Sequence, residues 1–255
     1  KVKIAAAEAL GFLGEAQAAK TLLAHFDTQD VFLRNAVVKA IIRIADDKVV
    51  AGVAQYLKHP EKKVRVLAAY VLGQTHGVQA TKQLQRALKD ESSEVREAAV
   101  KALGDLGDPA SVDILLKIAR DPGRYPSVWV IDSLGKTRSP KAIPFVLAAL
   151  KDQNIEVKEA AIAGIGRLCA TDAVPDLIEF LDDQNTVIRR AASVSLERIR
   201  NYLKMEQKWN TLKGEGSETM EIAAFGEKEP GTFGEPLFAE DKDAWQKWWA
   251  EQTAQ

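Results

Sequence analysis

The chain has 255 residues, 46% of them apolar, enough for one large domain or two ordinary ones with a buried core. A formal net charge of −1 excludes an overall field that would draw in nucleic acid, an anionic membrane or a basic partner. The longest apolar run, Ala142–Leu150, falls far short of the roughly 20 residues of a membrane-spanning helix. One cysteine, Cys169, excludes an intrachain disulfide and any cysteine cluster around a metal.

The charge is unevenly placed: residues 1–204 carry 30 Lys+Arg against 25 Asp+Glu, and residues 205–255 carry 5 against 11. A single cysteine fits a reducing compartment, so the cytoplasm is favoured. The periplasm stays open, because the chain starts at Lys1 without a methionine, as a trimmed N-terminus would, although no signal peptide is visible.

From Val2 onward one pattern, apolar–basic–x–Ala–Ala, returns at Leu33, Val64, Val95, Pro126, Val157 and Ile188. Every step is 31 residues. With columns counted from these starts, column 2 is basic in Lys3, Arg34, Arg65, Arg96, Lys158 and Arg189. Column 10 is glycine at Gly11, Gly73, Gly104, Gly135 and Gly166, and column 27 is aspartate at Asp90, Asp121, Asp152 and Asp183.

Within a copy the spacing is helical: Val95, Ala99, Ala102 and Leu106 share one face at 100° per residue. After a break rich in Gly, Asp and Pro, Val112, Leu115 and Ala119 mark a second helix, with Pro109 just inside its start. The chain opens on what looks like the second helix of a unit, and seven copies of that helix follow one another. Each helix–turn–helix unit is too small to bury its own apolar face, so neighbours supply the core by stacking.

The stretches VREAAVKALGDLGDPASVDILLKIARD (95–121) and VKEAAIAGIGRLCATDAVPDLIEFLDD (157–183) resemble HEAT repeats, most closely the short bacterial type named after phycobiliprotein lyases. The resemblance covers about residues 1–200. It implies an all-α chain folded as a right-handed α-solenoid of stacked helix–turn–helix units. It also implies a ladder between the column 2 basics and the column 27 aspartates, and a concave side lined by columns 3, 6, 7 and 10.

That concave side carries the candidate partner-binding residues: Val66, Tyr70, Val100, Val128, Ile131 and Ile162 as an apolar stripe, with Lys39, Lys101 and Asp132 around it. A solvated helix face is polar, so such a stripe reads as a contact surface. The alternative is that column 6 packs sideways on the adjacent helix. Trp129 stands in column 4, where most copies have Ala, and reads as local repacking or as a binding hot spot. The column 10 glycines read as points of close backbone approach, or as room for a ligand.

For chemistry there is little. His25, His59 and His76 stand in separate columns without a second ligand at helical spacing, so no metal and no cofactor is expected. Cys169, in column 13, reads as a small structural residue, and no phosphate-cradling or nucleophile-elbow motif occurs. No catalytic residue is expected.

Residues 205–240 lose the register and turn acidic and rich in Gly and Pro. Met220, Ile222, Phe225, Phe233, Leu237 and Phe238 suggest extended chain laid on the solenoid. Residues 241–255 read as a helix with Trp245, Trp248 and Trp249 on one face, capped by Asp241 or Asp243 and covering the apolar end of the stack. A sugar or peptide platform and a membrane anchor are the other readings.

The expected organisation is therefore a repeat solenoid over 1–204, an irregular segment over 205–240 and a capping helix over 241–255. The expected function is a non-catalytic scaffold or adaptor that binds another protein through its concave face, with no nucleic acid, membrane or metal involved. The alternative is lyase-like or chaperone-like handling of a phycobilin pigment or its protein. Phosphate-backbone binding is a weaker third reading, since columns 3, 7 and 11 carry seven positive and five negative charges.

Overall fold

The computed structural model describes residues 1–14, 18–75, 78–121, 123, 125–214 and 240–254. His76, Pro122 and the expected extended segment with Met220 through Phe238 lie outside the described residues. The described residues are helices and turns without a strand, and the fold is all-α, of the solenoid type. It divides into two compact units, Lys1–Ala142 and Ile143–Gln255.

In the first unit long helices α1 (Val2–Leu13), α3 (Val31–Ile44), α5 (Lys62–Gly73), α7 (Ser93–Leu106) and α9 (Ser127–Lys136) alternate with shorter ones. The shorter are α2 (Ala18–Leu23), α4 (Asp47–Gln55), α6 (Val78–Ala87) and α8 (Pro109–Ala119). Each long helix packs on the next long one, each short one on the next short one. Columns 1, 5 and 9 supply the core between the layers: Val64, Ala68 and Leu72 from α5, Val95, Ala99 and Leu103 from α7, all buried. The short helices that pack on them bury Val49, Val53, Leu84, Val112 and Leu115.

The turns are built by short polar residues. The Asp30 carboxylate accepts from the N–H groups of Phe32 and Leu33 at 3.0 and 3.1 Å, and Asp108 accepts from Ser111 N–H at 2.8 Å with Pro109 behind it. At the other end of the long helices, column 13 turns left-handed. Gly14, Ala45, Gly107 and Arg138 have φ of 67°, 39°, 59° and 53°. Gly14, Ala45 and Gly107 each donate a backbone N–H to the column 9 carbonyl that the helix leaves unpaired.

The column 2 arginines hold these turns differently from the expected ladder. Arg34 donates to Thr28 O at 3.2 Å, Arg65 to His59 O and Pro60 O at 2.9 and 3.1 Å, Arg96 to Asp90 O and Glu91 O, both at 2.9 Å. Each thus ties its helix to carbonyls of the turn just before it. Within these contacts the Arg–Asp pairing occurs at Arg65, whose guanidinium grips Asp90 in a fork at 2.9 and 3.0 Å. Asp90 also accepts from the Ser92 N–H at 2.9 Å, so the carboxylate shapes its own turn.

The second unit holds α10 (Ile143–Ala149), α11 (Ile155–Leu168), α12 (Val174–Glu179), α13 (Thr186–Gly214) and α14 (Lys242–Thr253). Here α11 packs on α13, and α12 packs on both α13 and α14. Cys169 takes the left-handed column 13 position with φ 51°, which gives it a backbone role at a helix end. Arg189 again donates to turn carbonyls, Asp183 O at 2.8 Å and Gln184 O at 3.3 Å, while its Nε meets Glu240 at 2.7 Å.

Asp241 caps α14 through Ala244 N–H at 3.0 Å. Trp245 is fully buried and meets Trp248 edge-on, ring centres 5.4 Å apart, while Trp248 and Trp249 remain half-buried. Lys242 reaches Glu179 at 2.9 Å and Asp182 at 2.8 Å, and Gln207 donates to Gln252 at 3.0 Å. These contacts fasten α14 across the neighbouring helices.

Candidate functional site

The open face follows from how the long helices approach one another. A Cβ built on Gly73 would lie 2.8 Å from Ala102 Cα, and one on Gly104 would lie 2.8 Å from Ser133 Cα. Column 10 therefore faces the next long helix and column 8 the preceding one. At 100° per residue column 6 lies about 40° from column 10, so it too is swallowed by the junction. Val100 is buried there and so, in the second unit, is Ile162, while Ile131 is buried on α9. The sideways-packing alternative holds for Val100 and Ile162, and with Ile131 also buried the three do not form an exposed stripe.

Columns 3, 7 and 11 face neither neighbour. They set Val66 and Tyr70 on α5, with Gln74 just past its end, beside Glu97, Lys101 and Asp105 on α7 and Val128, Asp132 and Lys136 on α9. A groove of about 700 Å³ opens here, floored by Val66, Leu67, Tyr70 and Ala98 and reaching Val31 and Arg34 of α3. Glu61, Lys63, Glu94, Glu97, Lys101 and Asp105 stand around it. Tyr70 keeps half of its surface exposed, at 50%, and Val66 is half-buried.

Of the other expected residues, Lys39 is exposed on α3, and Val128, Trp129 and Asp132 are half-buried on α9. None of these four lines the groove.

The rim is a chain of ion pairs. Lys101 donates to Glu97 at 2.6 Å one turn away, and Lys62 meets Glu94 at 2.8 Å. Lys136 stands between Asp132 at 3.2 Å and Asp105 at 3.6 Å, and Gln74 donates to Asp105 at 3.3 Å. Column 11 thereby links α5, α7 and α9 through Gln74, Asp105 and Lys136. Burial pushes the Asp105 carboxyl above its ordinary value, with the Asp132 charge adding to it, while Lys136 and then Lys101 pull the other way. These column 11 residues are absent from the expected site, although the 31-residue register already aligned them.

His59 accepts the Glu61 N–H on Nδ1 at 3.1 Å and has Nε2 3.7 Å from Asp27, a turn-stabilising arrangement. Among the described residues no group of three or more His, Cys, Asp or Glu is placed to hold a metal, and no helix is long and apolar enough to cross a membrane.

Comparison with known proteins follows this architecture. The chain is similar to the structure of the complex of CpcE and CpcF of phycocyanin lyase from Nostoc sp., with a TM-score of 0.51 and 23% identity over 71% of this chain and 76% of that one. It is also similar to the Escherichia coli protein YibA, with a TM-score of 0.53 and 20% identity over 74% of this chain and 77% of that one. At these identities both show the fold alone. No curated protein matches the chain closely enough to count as a relative. The family profile described as HEAT repeats matches residues 50–126 and 125–197, more than half of the chain. With the stacked helix pairs and their 31-residue register, this match makes the chain a member of the HEAT-repeat family.

Proposed function

We propose that the chain is a non-catalytic scaffold that binds another protein through the groove on the open face of α5 and α7. The observation that carries this reading is Tyr70, half exposed over an apolar floor and ringed by charges. An aromatic anchor at the centre with a polar rim is the anatomy of a protein interface. Lys101 and Glu97 set orientation at the rim, and Val128, Trp129 and Asp132 continue the face on α9, with Lys39 on α3. Val100 and Ile131 hold the helices that present it. Ile162 belongs to the other unit and has no part in the groove.

The test is affinity capture with the wild-type chain beside Tyr70→Ala and Lys101→Glu variants, both at exposed positions and so expected to remain folded. A specific protein partner lost with both variants supports the groove. A partner retained equally by both variants, or no specific partner at all, overturns it.

A second reading has one observation in its favour: about 700 Å³ lies within the range of small-molecule pockets. Pigment handling, as in the phycocyanin lyase whose fold is similar, would use Tyr70 and the apolar floor to seat a bilin. Titration with a free bilin tests it, and an unchanged absorption spectrum removes it.

We further infer that α14 closes the end of the second unit, since it packs on α12 and its Trp245 is fully buried.

A further inference from the structure

The short helices of the first unit turn a side of one charge sign to solvent. Counted from the same starts, columns 16, 19, 23 and 26 lie within about 80° of one another at 100° per residue. They point away from columns 18 and 21, where Val50, Val53, Leu84, Val112 and Leu115 are buried. On this side α4 presents Lys48, with Lys58 shortly past its end. Helix α6 presents Lys82 and Arg86, with Lys89 past its end, and α8 presents Lys117 with Arg120 past its end. All seven are exposed.

The twelve positions that these four columns mark on three helices thus hold seven basic residues and one acid, Asp113. That carboxylate is already met by Lys141 at 3.3 Å. Asp47 and Asp121 stand at the margins, and Asp90 is taken up by Arg65. Among the described residues the lysines of this unit that pair with a carboxylate are Lys62, Lys101, Lys136 and Lys141. Lys48, Lys58, Lys82, Lys89 and Lys117 stay unpaired. The net charge of −1 does not cancel such a patch, because at physiological salt a surface charge acts over only about 8 Å.

What the side lacks narrows the partner. It has no aromatic residue, and Ala51 and Ala110 are its apolar ones. It therefore has neither the buried anchor of a protein interface nor the apolar edge with which a basic helix enters a membrane surface. Nor does it offer rings on which the bases of a single strand could stack. Ten residues along each helix and three helices side by side make a field of about 15 Å by 20 Å. Between its cations Gln55 and Gln79 supply uncharged donors. Cations and amide donors without an apolar centre suit a regular row of phosphates.

We propose that the outward side of α4, α6 and α8 binds the phosphate backbone of double-stranded nucleic acid without reading its sequence. The expectation of no nucleic acid rests on the net charge and on columns 3, 7 and 11, all of which belong to the long helices; the outward columns of the short helices lie outside that count. The surface is separate from the groove of α5 and α7 and does not depend on it.

Fluorescence anisotropy on the full chain tests this with short labelled duplexes of DNA and of RNA, titrated over a series of salt concentrations. Wild type is compared with the triple variant Lys58→Glu, Lys82→Glu, Lys89→Glu. All three lysines are exposed, so circular dichroism and melting temperature should match wild type. The expected result is binding of either duplex, equal for unrelated sequences, with log affinity falling against log salt at a slope of about −4, as for some four phosphates neutralised. The triple variant should flatten that slope by about 3 and weaken binding more than about tenfold. Lys3→Glu, a charge change on α1, serves as the control that leaves binding close to wild type. A wild type that binds neither duplex at low salt overturns the proposal, and so does a triple variant that binds as wild type does. Capture by phosphatidylserine vesicles without binding to either duplex overturns it as well, and assigns the patch to a membrane surface.

Discussion

Gly104 on α7 rests directly on Ser133 of α9: a Cβ on the glycine would stand 2.8 Å from Ser133 Cα and 2.9 Å from its carbonyl oxygen. Both are backbone atoms, so the neighbour cannot yield by turning a side chain. Gly104→Ala should therefore destabilise the first unit despite a helix propensity gain of about 1 kcal/mol. Overpacking of this kind costs about 1–3 kcal/mol, and urea unfolding should show a lower midpoint. An unchanged or raised midpoint would mean that the two helices separate freely.

The opposite substitution applies at Ala45. Its φ of 39° belongs to the left-handed region, where an L-residue loses roughly 1–2 kcal/mol. Gly14 and Gly107 fill the same column of their repeats without that strain. Ala45→Gly should raise stability by about 1 kcal/mol, less a few tenths for the added freedom of the unfolded chain. Thermal unfolding is the measurement, and a decrease would contradict the shared role of column 13.

Arg65 is almost enclosed, with 8% of its side chain exposed, and its partner Asp90 has 12%. The hydrogen bond to Asp90 is the main reason its guanidinium is held above its ordinary pKa. Arg65→Met leaves Asp90 and two turn carbonyls without their donor, a loss of about 3–5 kcal/mol for a broken buried pair. Adding Asp90→Leu should recover only part of it, because the Ser92 N–H then loses its acceptor as well. Full recovery in the double variant would show that the ion pair, and not the turn, is what the arginine holds.

Trp245 is fully buried although it belongs to a short helix that follows a segment without repeat register. Trp245→Ala should cost about 3–5 kcal/mol, and removing residues 240–255 should lower the melting temperature further and raise dye binding to α12. Trp248→Ala, at a half-buried position, should cost less. Equal melting of the shortened and full chains would remove α14 as a cap.

Asp105 gives the groove a pH dependence. Its carboxyl is held above the ordinary value mainly by burial, so the folded chain binds that proton more tightly than the unfolded chain does. The contribution favours folding below the unfolded carboxylate pKa and is lost as the pH rises through the folded one. Wild type should thus gain stability relative to Asp105→Asn when acidified through that window, read as melting temperature against pH. Parallel curves for the two proteins would show that Lys136 fully offsets the burial.

The amino-acid sequence by itself determined the module, its helices and its stacking. A period of 31 fixes which residues share a helix face and aligns the column 10 glycines, of which Gly11, Gly73, Gly104 and Gly166 meet the backbone of a neighbouring helix. What periodicity leaves open is the direction in which the neighbour lies. Only the stacked structure placed column 6 under the next helix at Val100 and Ile162, and left column 11 open, so that Asp105 lines the groove with Lys136 3.6 Å from it. The column 2 arginines show the same division. Their recurrence was plain in the chain, but whether a long flexible side chain meets an aspartate or a turn carbonyl depends on a few ångströms of tertiary geometry, and at Arg34 and Arg96 the carbonyls take the bonds.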